Sequence, residues 1–248
     1  RPPMDKECSM SALPSDAMLI ADHDILCGAW ADIMESLERK GLCLNPWPGF
    51  DVWRTHMEPT GLDMNPSFDE GIGTTLEITD RNGNFVAMTA IRLYPNINDI
   101  RDLIMSNRIW SSAEAAMMNG MPNYVPLPDD FPVVSGNLVQ TGGTYVDPAH
   151  RHHRLGADLD KLSRISAIRG HHADHFFGIA KRPIAQGLPG GFYSVKRMPL
   201  VIKDMAINQE RTDFYLGHAS RSEFIEILVA SGYGQFQNHA VASGNGDD

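Results

Sequence analysis

Apolar positions along the 248-residue chain recur with two periods, and where each begins and stops outlines the elements. After Ser15, a suitable N-cap, Met18, Leu19, Ile25, Leu26, Ala29, Trp30, Ile33 and Leu37 share one helical stripe that Gly41 ends, which predicts a long amphipathic helix. The proline-rich stretch NPWPGFDVWRTHMEPTGLDMNP then predicts loop, with at most one short turn of helix. TTLEITDRNGNFVAMTAIRLYP carries two β-rich runs either side of Asn82-Gly83, the signal of a hairpin. Residues 98–118 hold helical patches, and MPNYVPLPDDFP reads as part of an insertion, residues 95–133, that wraps the surface.

VVSGNLVQTGGTYV, residues 133–146, is extended, and Gly136, Gly142 and Gly143 inside it mark a bulge or a close backbone approach. Leu155, Leu159, Leu162 and Ile165 form the stripe of a second helix, with Asp158 and Asp160 near its start and Arg164 and Arg169 near its end, as the helix dipole favours. ADHFFGIA predicts a strand, residues 181–202 a turn, strand and loop, TDFYLGHA a strand, and SRSEFIEILVAS a terminal helix capped by Ser220. The divisions expected are a lead at 1–14, one domain at 15–232 and a flexible tail at 233–248.

Composition narrows the function classes. Twenty-one basic against 31 acidic residues, a formal net charge of −10, argue against broad capture of nucleic acid or anionic lipid. No apolar run reaches the roughly 20 residues that span a bilayer. Cys8, Cys27 and Cys43 are odd in number and lack C-x-x-C spacing, which suits a reducing cytoplasm. The opening RPPMDKECSM has neither an initiating Met nor a signal-peptide core, and reads as a trimmed chain or a fragment.

Against that acidic background, His150, Arg151, His152, His153 and Arg154 are consecutive, just after Asp147-Pro148 and just before a helix. A strand-to-helix turn offers free backbone N–H groups and the positive end of a helix dipole, so it suits a phosphate. Arg151 and Arg154 would add charge-assisted bonds, and the histidines further donors. Positive charge at a helix start opposes the dipole, which makes an anion site a better reading than a merely solvated turn.

YVDPAHRHHRLGADL resembles the acyl-CoA-binding motif of the GCN5-related N-acetyltransferase superfamily: a strand ending Val-x-Pro, then Arg/Gln-x-x-Gly-x-Gly/Ala opening a helix. Arg151 matches the first position and Gly156 the last, while Arg154 stands at the middle glycine. The element order over about residues 15–232 is similar as well, with an extra segment between the third and fourth strands. The resemblance implies an α/β fold with a mixed, mainly antiparallel sheet flanked by helices and splayed at the fourth and fifth strands. It further implies an N-acetyltransferase that passes acetyl from acetyl-CoA to an amine by direct attack in a ternary complex. Arg151, His152, His153, Arg154, Leu155, Gly156 and Ala157 would hold pyrophosphate, and Thr144, Tyr145 and Val146 would align the pantetheine arm.

Such a reaction needs a neutral amine, an N–H for the developing oxyanion and a proton for the departing thiolate. The superfamily often places a Tyr before a Gly-Phe pair; the pair here is Gly191-Phe192, with Gly187 where the phenol is sought. Tyr193 is the nearest substitute and Tyr215 a second. Glu77 is a candidate water-mediated relay from the amine, although an alternating Glu on a strand more often faces solvent.

Other readings compete. NFVAMTAIRLYP is similar to the Gly-x-x-Arg-Leu-x-Pro strand of acyl-homoserine-lactone synthases at Arg92, Leu93 and Pro95, but that family's Glu-x-x-Arg falls on Gln140 and Gly143. A CoA-binding module without turnover is another. A metal site is not expected: the clusters His150, His152, His153 and His171, His172, His175 sit at opposite ends of a helix about 25 Å long, taking 1.5 Å per residue. The partners implied are a small-molecule or protein amine, with a homodimer left open, and the net negative charge hints at a cationic acceptor such as a polyamine, aminoglycoside or Lys side chain.

Overall fold

The computed structural model describes residues 17–57, 71–106, 108–109, 123–181, 198–207 and 210–233. The first helix, α1 (Ala17–Arg39), follows the predicted stripe: Leu26, Ala29, Ile33 and Leu37 are buried. The next segment departs from the loop expected of it. Leu42–Pro48 is strand β1, paired antiparallel with β2 (Ile72–Asp80), and Asp51–Met57 is a short helix, α2. Prolines 46 and 48 are tolerated because β1 is an edge strand, where a missing N–H disrupts no second ladder.

The hairpin is as predicted. Strand β2 turns through Arg81–Asn84, with Gly83 at φ 83°, into β3 (Phe85–Ile97). The Asp80 carboxylate accepts the amides of Asn82 and Asn84 across the turn, and the Asn84 bonds hold its pKa below the usual carboxylate range. Helix α3 (Ile100–Met105) and a two-residue strand, β4 (Asn123–Tyr124), come from the extra segment. That segment does more than wrap the surface. Its Leu127 and Phe131 are buried beside Leu138, Phe177 and Val201.

Strand β5 (Gly136–Val146) leads through a 3-10 turn (Pro148–His153) into α4 (Leu155–His171). Strands β6 (His175–Lys181), β7 (Leu200–Ile207) and β8 (Glu210–Ser220) and helix α5 (Arg221–Ala230) complete the described chain. Ser220 caps α5 in a reciprocal capping box with Glu223. The eight strands form one sheet in the order β1-β2-β3-β5-β6-β8-β7-β4, antiparallel everywhere except between β5 and β6. The architecture is the mixed, mainly antiparallel α/β sheet expected, with helices on both faces.

One face is covered by α1, α4 and α5 through Leu155, Leu159, Leu162, Ile165 and Phe224. Asp160 and Arg164 of α4, expected to complement the helix dipole, instead form an ion pair at 3.0 Å inside this core, with the guanidinium against the rings of Phe176 and Phe224. Burial pushes the Asp160 carboxyl up to about 6 against the pull of Arg164. On the other face, α2 packs Phe50, Trp53 and Met57 over Met88 and Ala90. No helix among the described residues is long and apolar enough to cross a membrane.

Candidate functional site

The single parallel pair creates the site. Strands β5 and β6 pair only over Leu138–Gln140 and His175–Phe177. Beyond that, β5 runs six residues further and β6 four without pairing to each other, so the sheet opens between them. A bulge re-aims β5 at the start of this open stretch. Tyr145 opposes Met88 and Gly142 opposes Ala90, so Gly143 and Thr144 together face Thr89. Gly143 sits at φ 57°, the left-handed region that favours glycine. The Thr89 hydroxyl donates to the Gly142 carbonyl at 3.1 Å and lies 2.8 Å from the Thr144 hydroxyl.

At the open end lies the basic turn. Asp147 caps it by accepting the Ala149 amide, and Pro148 starts it. Arg151 and Arg154 are both exposed, and among the described residues neither forms an ion pair with a carboxylate. The Arg151 Nε donates to the Val146 carbonyl at 3.3 Å. His150 stands 3.6 Å from Asp147, with its ring 6.0 Å from that of His153. Leu155 is buried, while Gly156 and Ala157 follow it in the first turn of α4. The Ala157 amide bonds back to the Arg154 carbonyl; those of Leu155 and Gly156 precede the first intrahelical acceptor.

Arg154 has φ 58° and ψ 23°, a left-handed backbone of the kind that favours glycine. Holding a non-glycine residue there costs roughly 1–2 kcal/mol. The turn therefore carries both backbone strain and a cation at a helix start, and a bound anion would offset the second.

Sequence reasoning missed a third cation. Lys40, just past α1, donates to the His153 carbonyl at 3.2 Å and lies 3.4 Å from Asp158. More than a hundred residues separate Lys40 from the turn, and no local pattern announces such a contact.

The catalytic candidates scatter. Glu77 is buried, not solvent-facing: its Oε2 accepts the Trp47 indole N–H at 2.8 Å and its Oε1 meets His56 Nε2 at 2.9 Å. His56 in turn stacks on Phe85 with centroids 4.1 Å apart. Glu77 pairs with Met88 and Met88 with Tyr145, so β3 stands between Glu77 and β5, about 10 Å at 4.8 Å per strand. Tyr215 is nearer the opening. It lies on β8 opposite Ala180 of β6, and because Phe214 and Leu216 enter the second core cluster it projects to the other face. Tyr193 lies outside the described residues. The bulged backbone and the turn border the opening; Tyr215 stands one strand behind β6, and Glu77 two strands from β5.

At the far end of β6, His175 and His218 are half-buried, each with a buried Nδ1 that lacks a hydrogen-bond partner. Burial lowers the pKa of both, against the pull of Glu223 on each and of Asp174 on His175. His171 shifts the same way, by burial and its neighbour His172. Among the described residues no three His, Cys, Asp or Glu side chains converge as a metal ion requires.

No protein-family model matches the sequence, and no curated protein matches it. Solved structures with a similar course include the dodecameric spermidine N-acetyltransferase of Vibrio cholerae, 11% identical, TM-score 0.46, covering 75% of this chain and 96% of that one. Another is Arabidopsis thaliana NAA60 with a bisubstrate analogue, 12% identical, TM-score 0.43, covering 72% and 97%. A third is the ribosomal-protein-S5-alanine acetyltransferase of Vibrio fischeri, 8% identical, TM-score 0.37, covering 70% and 69%. Likenesses this distant say nothing of a shared substrate.

Proposed function

We propose that the chain is an acyl-CoA-dependent N-acyltransferase of the GCN5-related type, passing acetyl from acetyl-CoA to an amine in a ternary complex. One observation carries the reading: β5 and β6 part after three residue pairs, and Arg151, Arg154 and the start of α4 stand at the open end of β5. An elongated ligand that is anionic at one end and peptide-like along its arm suits such a place. Arg151, Arg154 and the amides of Leu155 and Gly156 hold the pyrophosphate, with His152, His153, Ala157 and Lys40 beside them. Arg151 exchanges its bond to the Val146 carbonyl for a phosphate oxygen, freeing that carbonyl for the pantetheine amides.

The backbone of Thr144–Val146 extends the sheet to the arm, as a strand edge pairs with a peptide. The amine lone pair attacks the thioester carbonyl, the nitrogen gives up a proton to water, the C–S bond breaks as the tetrahedral intermediate collapses, and the thiolate takes a proton, so that the net transfer is from nitrogen to sulfur. Tyr215 is the phenol proposed to supply the thiolate's proton. Glu77 has both oxygens engaged and acts, if at all, through His56. Tyr193 stays a second phenol candidate. The acceptor is a small-molecule or protein amine, and the net charge of −10 favours the approach of a cationic one. The odd number of cysteines, without C-x-x-C spacing, suits the reducing cytoplasm proposed.

Thermal shift and calorimetry with acetyl-CoA and CoA test the reading, followed by thiol release over a panel of polyamines, amino acids and peptides. Stabilisation by both nucleotides with turnover of one amine class is the expected result. Binding without turnover of any amine reduces the protein to a CoA-binding module, and absence of binding removes the reading altogether. Tyr215→Phe is expected to lower kcat and leave the KM for acetyl-CoA unchanged.

A further inference from the structure

Helix α2 has seven residues, too few to be stable alone, so its place is set by what pins it to the sheet. At its start the Gly49 amide donates to the Gly73 carbonyl at 2.9 Å, and the Thr75 hydroxyl donates to the Gly49 carbonyl at 2.9 Å. Gly73 has no Cβ where the Phe50 ring lies; any side chain there would overlap it. Toward its end His56 reaches Glu77. These contacts fix the residue between them, Trp53, which is fully buried and donates its indole N–H to the Gly143 carbonyl at 2.9 Å.

That carbonyl belongs to the bulge that opens β5. A Cβ on Gly143 would come within 2.6 Å of the Trp53 Nε1, so the left-handed backbone and the indole fit only each other. With Gly142 tied to Thr89 and Gly143 tied to Trp53, both carbonyls are drawn away from β6. The next three residues are those whose backbone faces the opening.

We propose that Trp53 is a positioning residue for the acyl-CoA: its N–H holds the bulge in the shape that presents Thr144–Val146 to the pantetheine arm. The proposal rests on the acyltransferase reading. Trp53 touches neither the thioester nor the acceptor, and its effect passes through Gly143.

Trp53→Phe keeps an aromatic ring in place and removes the N–H. The expected result is a Kd for CoA, by calorimetry, raised about five- to tenfold, the worth of one hydrogen bond. The KM for acetyl-CoA is expected to rise in parallel, with kcat within about twofold of wild type. Gly143→Ala disturbs the same contact from the strand side and is expected to weaken CoA similarly. The double variant is expected to bind no worse than the weaker single one, because both changes break one interaction. A Trp53→Phe protein with a lowered Tm and an unchanged Kd for CoA shows a purely structural indole and overturns the proposal, as does an unchanged Kd in Gly143→Ala. Wild-type protein that binds no CoA overturns the acyltransferase reading and this proposal together, whereas wild-type binding with unchanged variants overturns this proposal alone.

Discussion

Arg154→Gly changes stability and ligand affinity in opposite directions. The backbone at Arg154, φ 58° and ψ 23°, costs roughly 1–2 kcal/mol for a residue with a Cβ. Its charge at the start of α4 adds about 0.3–1 kcal/mol of unfavourable dipole interaction. Glycine removes both costs and loses about 0.4–1 kcal/mol through its freer unfolded chain, so the net gain is about 1 kcal/mol. In a protein of this size that raises Tm by about 2–4 °C. On the acyl-CoA reading proposed, the same change would delete one charge-assisted bond to the pyrophosphate, worth about 1.5–3 kcal/mol, so Kd for CoA is expected to rise roughly 10- to 150-fold. Arg154→Ala separates the two effects: it loses the guanidinium and keeps the strained backbone, so affinity falls equally while Tm gains only the dipole part. Differential scanning fluorimetry without ligand and calorimetry with CoA give both numbers. An Arg154→Gly protein that melts lower than wild type refutes the strain argument, and one that binds CoA as tightly as wild type refutes the anion site.

Three further outcomes follow from the core. Asp160→Asn leaves the Arg164 guanidinium buried without its carboxylate and is expected to cost about 3–5 kcal/mol in urea unfolding, with Asp160→Leu/Arg164→Met recovering most of it; a single variant within 1 kcal/mol of wild type would contradict the buried pair. Gly136 has φ 102° and stands where a Cβ would overlap the Asp174 carboxylate that accepts the Asn137 amide, so Gly136→Ala is expected to lose about 2–3 kcal/mol, and an unchanged Tm would refute the close approach. Burial depresses the pKa of His175 and His218, so the unfolded chain binds the extra protons first as pH falls below 6.5; their contribution is present above 6.5 and lost as pH drops toward their folded values. Tm between pH 7 and 5 is therefore expected to decline less in His175→Gln/His218→Gln than in wild type, and parallel declines would rule the pair out as the cause.

What the sequence reveals here depends on whether the cause is local. Asn82-Gly83 announces its turn because Gly83 needs a positive φ, and the basic turn can be located before α4 because five adjacent residues carry its charge. Strand β1 stays hidden, since Pro46 and Pro48 read as loop until the edge position that tolerates them is known. Asp160 and Arg164 fit the dipole pattern so well that their burial under Phe176 and Phe224 leaves no trace in the periodicity. Lys40, Trp53 and His56 earn their places only through contacts with residues 113, 90 and 21 positions away. Glu77 alternates like a surface residue, yet Trp47 and His56 enclose it from elements that no strand pattern places there.

The seam between β5 and β6 divides the sheet into two antiparallel halves of four strands, stitched by three residue pairs. Only the two-residue edge strand β4 is held by fewer pairs among the described residues. On the reading proposed, a cargo lying in the cleft would bridge the halves and complete the weave, so the loaded protein is expected to resist parting along this line more than the empty one. On the acyltransferase reading proposed, supply of the thioester would then set the chain's mechanical integrity as well as its turnover.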